Sequence, residues 1–67
     1  MKRTRPGTPP FALKILTDNG AFEEAGPHAE VARILHELAD RVARGGVRWG
    51  LRDYNGNTVG EARFVRR

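Results

Sequence analysis

His36-Glu37-Leu38-Ala39-Asp40 comes closest to a catalytic motif in this 67-residue chain. A zinc-protease helix carries two histidines four residues apart, with a glutamate beside the first to work on the metal-bound water. Here Asp40 stands where the second histidine must be, and His36 with Asp40 gives only two ligands. His28 lies eight residues before His36, about 80° around a helix from it, and cannot complete a site on the same face. Both histidines read as surface or flanking residues. Glu23-Glu24 are adjacent carboxylates that diverge in a loop or strand, with no acidic group fixed opposite for acid–base work. Gly45-Gly46 lacks the lysine and spacing of a phosphate loop and follows a helical segment instead of preceding one. Asp53, Asn55 and Asn57 alternate around Gly56 without the sixth-position glycine and terminal glutamate of a calcium loop, so turn formation explains them better.

Serine and cysteine are both absent. That removes the commonest acyl-transfer nucleophile and any disulfide or cysteine-ligated zinc. The expectation is a protein that is not an enzyme and uses no cofactor or metal. Its setting is expected to be a reducing, cytoplasmic compartment. No apolar run approaches the roughly 18 residues of a membrane-spanning helix. Nor does an apolar segment of the secretory type follow Met1-Lys2-Arg3-Thr4-Arg5-Pro6.

Chemistry of another kind lies in the charge pattern. The net charge is +4, yet residues 6–62 hold six cations (Lys14, Arg33, Arg41, Arg44, Arg48, Arg52) against all eight acids. The excess of basic charge sits at the ends, in Lys2, Arg3 and Arg5 and in Arg63, Arg66 and Arg67. Basic arms neutralise phosphates without reading sequence. Ten arginines against two lysines suit bidentate phosphate contact.

The elements that must position these groups are legible in part. Residues 1–10 carry Pro6, Pro9 and Pro10 among basic residues and read as a flexible arm. Phe11–Thr17 alternates as a strand, and Asp18-Asn19-Gly20 ends it as a turn. Residues 21–27 form a connection in which Phe22 packs over a core edge. Val31, Ile34, Leu35, Leu38 and Val42 share about 100° of arc on a helix from about residue 27 to 44. Pro27 starts it and Gly45-Gly46 ends it. Glu37 with Arg41 and Asp40 with Arg44 stand in the favourable order for helical ion pairs.

A hairpin follows. With Asn55-Gly56 as a two-residue type I′ turn, Tyr54 faces Asn57, Leu51 faces Gly60, Trp49 faces Ala62 and Val47 faces Phe64. The opposite face then pairs Arg48 with Arg63, Gly50 with Glu61 and Arg52 with Val59. A one-residue slip would put arginines in the core.

The predicted architecture is therefore α+β: a β-α-β-β domain over residues 11–65 with one helix on one face of a three-stranded sheet, the first strand lying beside the third in the preferred order 1-3-2, or else beside the second. The bare face is expected to carry Ala12, Lys14, Leu16, Arg48, Arg52, Tyr54, Val59, Glu61 and Arg63. Glu61, diagonal to Arg48, is placed to relieve the opposed Arg48 and Arg63. The candidate binding set is Lys2, Arg3, Arg5, Lys14, Arg48, Arg52, Tyr54, Arg63, Arg66 and Arg67. A domain this small balances folding narrowly, which favours a partner subunit, such as a homodimer through a sheet edge or the open face.

Thr17-Asp18-Asn19-Gly20-Ala21-Phe22, Glu30-Val31-Ala32-Arg33-Ile34-Leu35 and the Leu51–Gly60 hairpin resemble segments of short uncharacterised proteins encoded by bacterial phages, prophages and mobile elements. The resemblance covers roughly residues 13–62 and implies a shared fold and a small cytoplasmic accessory role. Two readings remain: nucleic-acid binding through basic termini and the open sheet face, or a protein-interaction module acting on a host or defence protein.

Overall fold

The computed structural model of the chain describes residues 10–65. Apart from Pro10, the basic arm and the tail expected from the sequence lie outside the described residues. The elements are β1 (Phe11–Ile15), α1 (Gly20–Ala25), α2 (Pro27–Ala43), β2 (Arg48–Arg52) and β3 (Thr58–Phe64). The three strands form one antiparallel sheet in the order β1-β3-β2. This is the β-α-β-β arrangement expected from the sequence, with one addition.

The addition is α1. Asn19 is its N-cap and accepts the Ala21 N–H at 3.0 Å, which satisfies one of the donors that a helix start leaves orphaned. Six residues are too few to show helical periodicity, so the segment reads as a connection in the sequence. Its fold role is plain from burial: Ala21 and Phe22 lie in the core. Gly26, at φ 90°, then turns the chain into α2. Pro27 opens that helix, where its missing N–H costs no intrahelical bond. At the other end the Arg44 N–H bonds the Arg41 carbonyl and the Gly45 N–H bonds the Val42 carbonyl, and Gly45 and Gly46 have positive φ.

Ile34 and Leu38 of α2 are buried against Trp49, Leu51, Val59, Ala62 and Phe22, with Ile15, Val31 and Val42 packed around them. Trp49 therefore faces the helix, and Arg48 and Arg52 are exposed on the other side. At one end of the helix-side surface Phe11 meets Phe64 edge-on at 5.2 Å, and both rings stand 6.0 Å from Trp49.

The hairpin register is right in the middle and different at the tip. Arg48 pairs with Arg63, Trp49 with Ala62, Gly50 with Glu61 and Leu51 with Gly60, as expected. The turn is not type I′, however, because Gly56 (φ 88°) alone has positive φ there. Asp53 N–H bonds the Asn57 carbonyl and Gly56 N–H bonds the Asp53 carbonyl, each at 3.0 Å. The loop is thus three residues, Tyr54-Asn55-Gly56, with glycine in the left-handed position. The extra loop residue is compensated by a bulge: Arg52 pairs with Thr58, not Val59, and the register shifts between Leu51 and Arg52. Two residues then oppose one, which reorients the bulged segment. Val59, expected on the bare face, is buried within the core cluster.

Candidate functional site

Alternation puts Ala12 and Lys14 of β1, Glu61 and Arg63 of β3, and Arg48 and Arg52 of β2 on the sheet face away from α2. Among the described residues nothing covers this face, and all six side chains are exposed. A shallow depression of about 620 Å³ runs over β1 and β3, its lining including Lys14, Leu16, Val59, Glu61 and Arg63.

Glu61 is the hub. It stands directly across from Lys14 on β1 and forms a salt bridge to Arg48 Nε at 3.2 Å. The opposed Arg48 and Arg63 are thereby relieved on one side only. Lys14, Arg48, Arg52 and Arg63 share this face with the one carboxylate, Glu61. The other seven acids of the described residues (Asp18, Glu23, Glu24, Glu30, Glu37, Asp40, Asp53) belong to α1, α2 and the loops, together with Arg33, Arg41 and Arg44. The slightly acidic body of the sequence thus keeps four cations with a single carboxylate on its open sheet face. Summed charge of one sign over an open surface attracts polyanions and steers their approach.

Tyr54 does not belong to that face. Its hydroxyl donates to Glu24 Oε1, and its backbone N–H donates to Glu30 Oε2 at 2.8 Å. The three-residue loop carries it round toward the helices, and the Glu24 bond raises the phenol above its ordinary range. The open face consequently offers cations and no aromatic ring. Lys2, Arg3, Arg5, Arg66 and Arg67 lie outside the described residues, so the structure brings together Lys14, Arg48, Arg52 and Arg63 alone of the expected set.

Two buried carboxylates on the opposite side were missed as partners. Glu30, outside the apolar stripe of α2, is 3% exposed. Arg33 grips it through two nitrogens, Nε to Oε1 at 3.0 Å and Nη2 to Oε2 at 2.8 Å. That bond to the guanidinium, with the Tyr54 N–H, holds Glu30 below the usual carboxylate range despite its burial. Asp53, also 3% exposed, accepts the N–H groups of Asn55 and Asn57 on Oδ1, both at 2.9 Å. Its Oδ2 accepts the side chains of Asn19 at 2.7 Å and Asn57 at 3.3 Å. Burial pushes Asp53 up, but the Asn57 N–H, the Asn19 and Asn57 side chains and the Asn55 N–H outweigh it and leave it lowered. These contacts tie the hairpin loop to the start of α1 and to α2. The Asp-Asn-Gly and Asp-Tyr-Asn-Gly-Asn segments are therefore fasteners of the fold.

The expected helical ion pairs are replaced by other contacts. Arg33 takes Glu37 at 3.4 Å as well as Glu30. Arg41 leaves Glu37 and donates to the Gly50 carbonyl at 2.9 Å. Asp40 and Arg44 form no salt bridge.

No helix among the described residues is long and apolar enough to cross a membrane. Compared with family models, curated proteins and solved structures, the chain matches none.

Proposed function

We propose that this is a small non-enzymatic accessory protein that holds nucleic acid by its phosphate backbone, on the sheet face bearing Lys14, Arg48, Arg52 and Arg63. The observation that supports this most is the segregation of charge. Four cations gather with one carboxylate on the uncovered face, while the remaining acids belong to α1, α2 and the loops. The six described arginines divide evenly between this face and α2 with its C-cap, so the asymmetry lies in the acids, of which the face carries one of eight. With no aromatic on the face, there is no stacking platform for unstacked bases. Contact is then with phosphates, independent of sequence, and a duplex suits a flat three-stranded surface better than a single strand. The basic residues Lys2, Arg3, Arg5, Arg66 and Arg67 add to the same attraction. A small accessory role is also what the likeness to phage-encoded proteins implies.

The test is the salt dependence of binding to a mixed-sequence DNA duplex. Each phosphate contact contributes about −0.9 to the slope of log affinity against log salt. Arg48→Ala, Arg52→Ala and Arg63→Ala are each expected to make the slope shallower by about that amount, and Arg44→Ala to leave it unchanged. Binding whose slope is indifferent to all three face variants, but lost on deleting residues 1–9 and 66–67, would move the site to the termini. Retention of a host protein after nuclease treatment, with no affinity for nucleic acid, favours the protein-interaction reading instead.

A further inference from the structure

The two edges of the sheet are treated differently. On the β2 edge, the Phe64 N–H to Val47 carbonyl bond (3.0 Å) fixes which backbone groups turn inward. By antiparallel alternation Arg48, Gly50 and Arg52 direct their N–H and C=O groups outward. Two of those carbonyls are occupied: Arg41 Nη1 bonds Gly50 at 2.9 Å and Arg33 Nη2 bonds Arg52 at 3.1 Å. Arginines of α2 thus reach over the edge and blunt it, as soluble sheet proteins do to avoid edge-to-edge pairing.

The β1 edge has no such guard among the described residues. The Leu16 N–H to Val59 carbonyl bond (2.8 Å) and the Val65 N–H to Pro10 carbonyl bond (2.7 Å) turn the even residues of β1 toward β3. Phe11, Leu13 and Ile15 therefore point their N–H and C=O groups outward. Their side chains also lie on the helix side of the sheet, where α2 sits over β2; Ile15 packs against the core, and Phe11 and Leu13 stay exposed. Trp49 and Leu51 are 7% and 1% exposed, against 44% for Phe11 and 40% for Leu13. A free backbone ladder beside an apolar strip calls for another strand with an apolar face.

From this we infer that the occupant is a second copy of this chain, adding its own β1 antiparallel to the first about a two-fold axis at Leu13. The strand is self-complementary in that register. Leu13 meets the second copy's Leu13 and Phe11 meets the second copy's Ile15 on the helix side, while Ala12 meets the second copy's Lys14 on the other. A register centred at Lys14 instead would set two ammonium groups face to face. Such an interface is isologous and closes after two copies, because the β2 edges at either end are guarded. The product is a six-stranded sheet with both helix pairs on one side and the two cationic faces continuous on the other. The inference rests on the strand edges and not on what the open face binds.

The full chain is expected to sediment as a dimer. Leu13→Lys should give a monomer with unchanged far-ultraviolet circular dichroism, and Val47→Lys, beside the guarded edge, should leave the dimer intact. Because the chain has no cysteine, single cysteines report the interface directly. Under mild oxidation Leu13→Cys is expected to cross-link into a covalent dimer and Val47→Cys to stay monomeric. If Leu13→Lys unfolds, the cysteine pair decides. A wild-type chain still monomeric at about 1 mM, where a 1 mM dissociation constant would already populate the dimer, overturns the inference. So does a dimer that survives Leu13→Lys, or cross-linking at position 47 and not at 13.

Discussion

Arg41 of α2 donates to the backbone carbonyl of Gly50, nine residues on and in the outermost strand, at 2.9 Å. A side chain placed by its spacing to pair with Glu37 is used to close a sheet edge, and Arg33 does the same for Arg52 while holding Glu30. Removing both guanidinium groups exposes the Gly50 and Arg52 carbonyls to any strand that approaches. Arg33→Ala with Arg41→Ala is expected to produce species larger than the dimer at concentrations where the wild type gives none. Sedimentation velocity measures this. Losing the bond to Gly50 should cost only about 1 kcal/mol, but Arg33→Ala also strips the buried Glu30 of its ion-pair partner at a larger cost, so Arg41→Ala alone is the variant in which association is read without unfolding.

Gly60 and Gly50 offer a matched contrast within the sheet. A Cβ at Gly60 would lie 2.0 Å from the Lys14 carbonyl oxygen and 3.0 Å from Ile15 Cα, both backbone atoms that cannot swing aside. A Cβ at Gly50 meets nothing within 4 Å. Gly60→Ala is expected to destabilise by about 3 kcal/mol or more, the upper end for forced overpacking. Gly50→Ala should be neutral or slightly stabilising, since a strand-interior glycine carries an entropic penalty of about 0.5–1 kcal/mol. Urea unfolding of the two variants decides it.

Much of the sheet was legible because alternation and a two-sided penalty fix it: Trp49 and Leu51 inward force Arg48 and Arg52 outward. What was not legible was set by hydrogen bonds that no periodicity announces. Asn55-Gly56 fits a two-residue turn, but the buried Asp53 carboxylate collects the Asn55 and Asn57 N–H groups and holds a three-residue loop. The bulge at Val59 then restores the register, so the centre of the hairpin is right although its tip is not. Tyr54 leaves the open face for the same reason, and the candidate site loses its one stacking group. Gly60 admits the β1 backbone at a distance no side chain would allow, and no sequence pattern announces that approach. Glu30 lies outside the apolar stripe of α2, and its contact with the Tyr54 N–H, which no periodicity announces, marks it as interior.

Acid should loosen these fasteners. Glu30 and Asp53 have carboxyls lowered in the folded protein, so the folded state resists protonation more than the unfolded chain does. Their contribution is complete above the ordinary carboxylate range, near pH 4, and fades as pH falls through the lowered folded values. Melting temperature is expected to hold steady between about pH 7 and 5 and to drop below about pH 4. Asp53→Asn and Glu30→Gln should each start lower at neutral pH and show a shallower acid limb. An acid limb of undiminished steepness in both variants would assign the loss to other groups.

Glu61 opposes the proposed use of the open face, because it neutralises Arg48 and stands across from Lys14. Glu61→Gln is expected to tighten duplex binding roughly twofold to fivefold, the effect of up to about 1 kcal/mol for an exposed charge. The gain should shrink as salt rises. Fluorescence anisotropy at two ionic strengths measures both.

The surface engaged is most directly read by amide chemical-shift mapping of the 15N-labelled full chain during titration with a short DNA duplex. Shifts confined to Ala12–Leu16, Arg48–Arg52 and Glu61–Arg63, with the outer face of α2 silent, are what the charge on the open sheet face demands. Shifts concentrated on α1 and α2, or none among the strands at saturation, would contradict it.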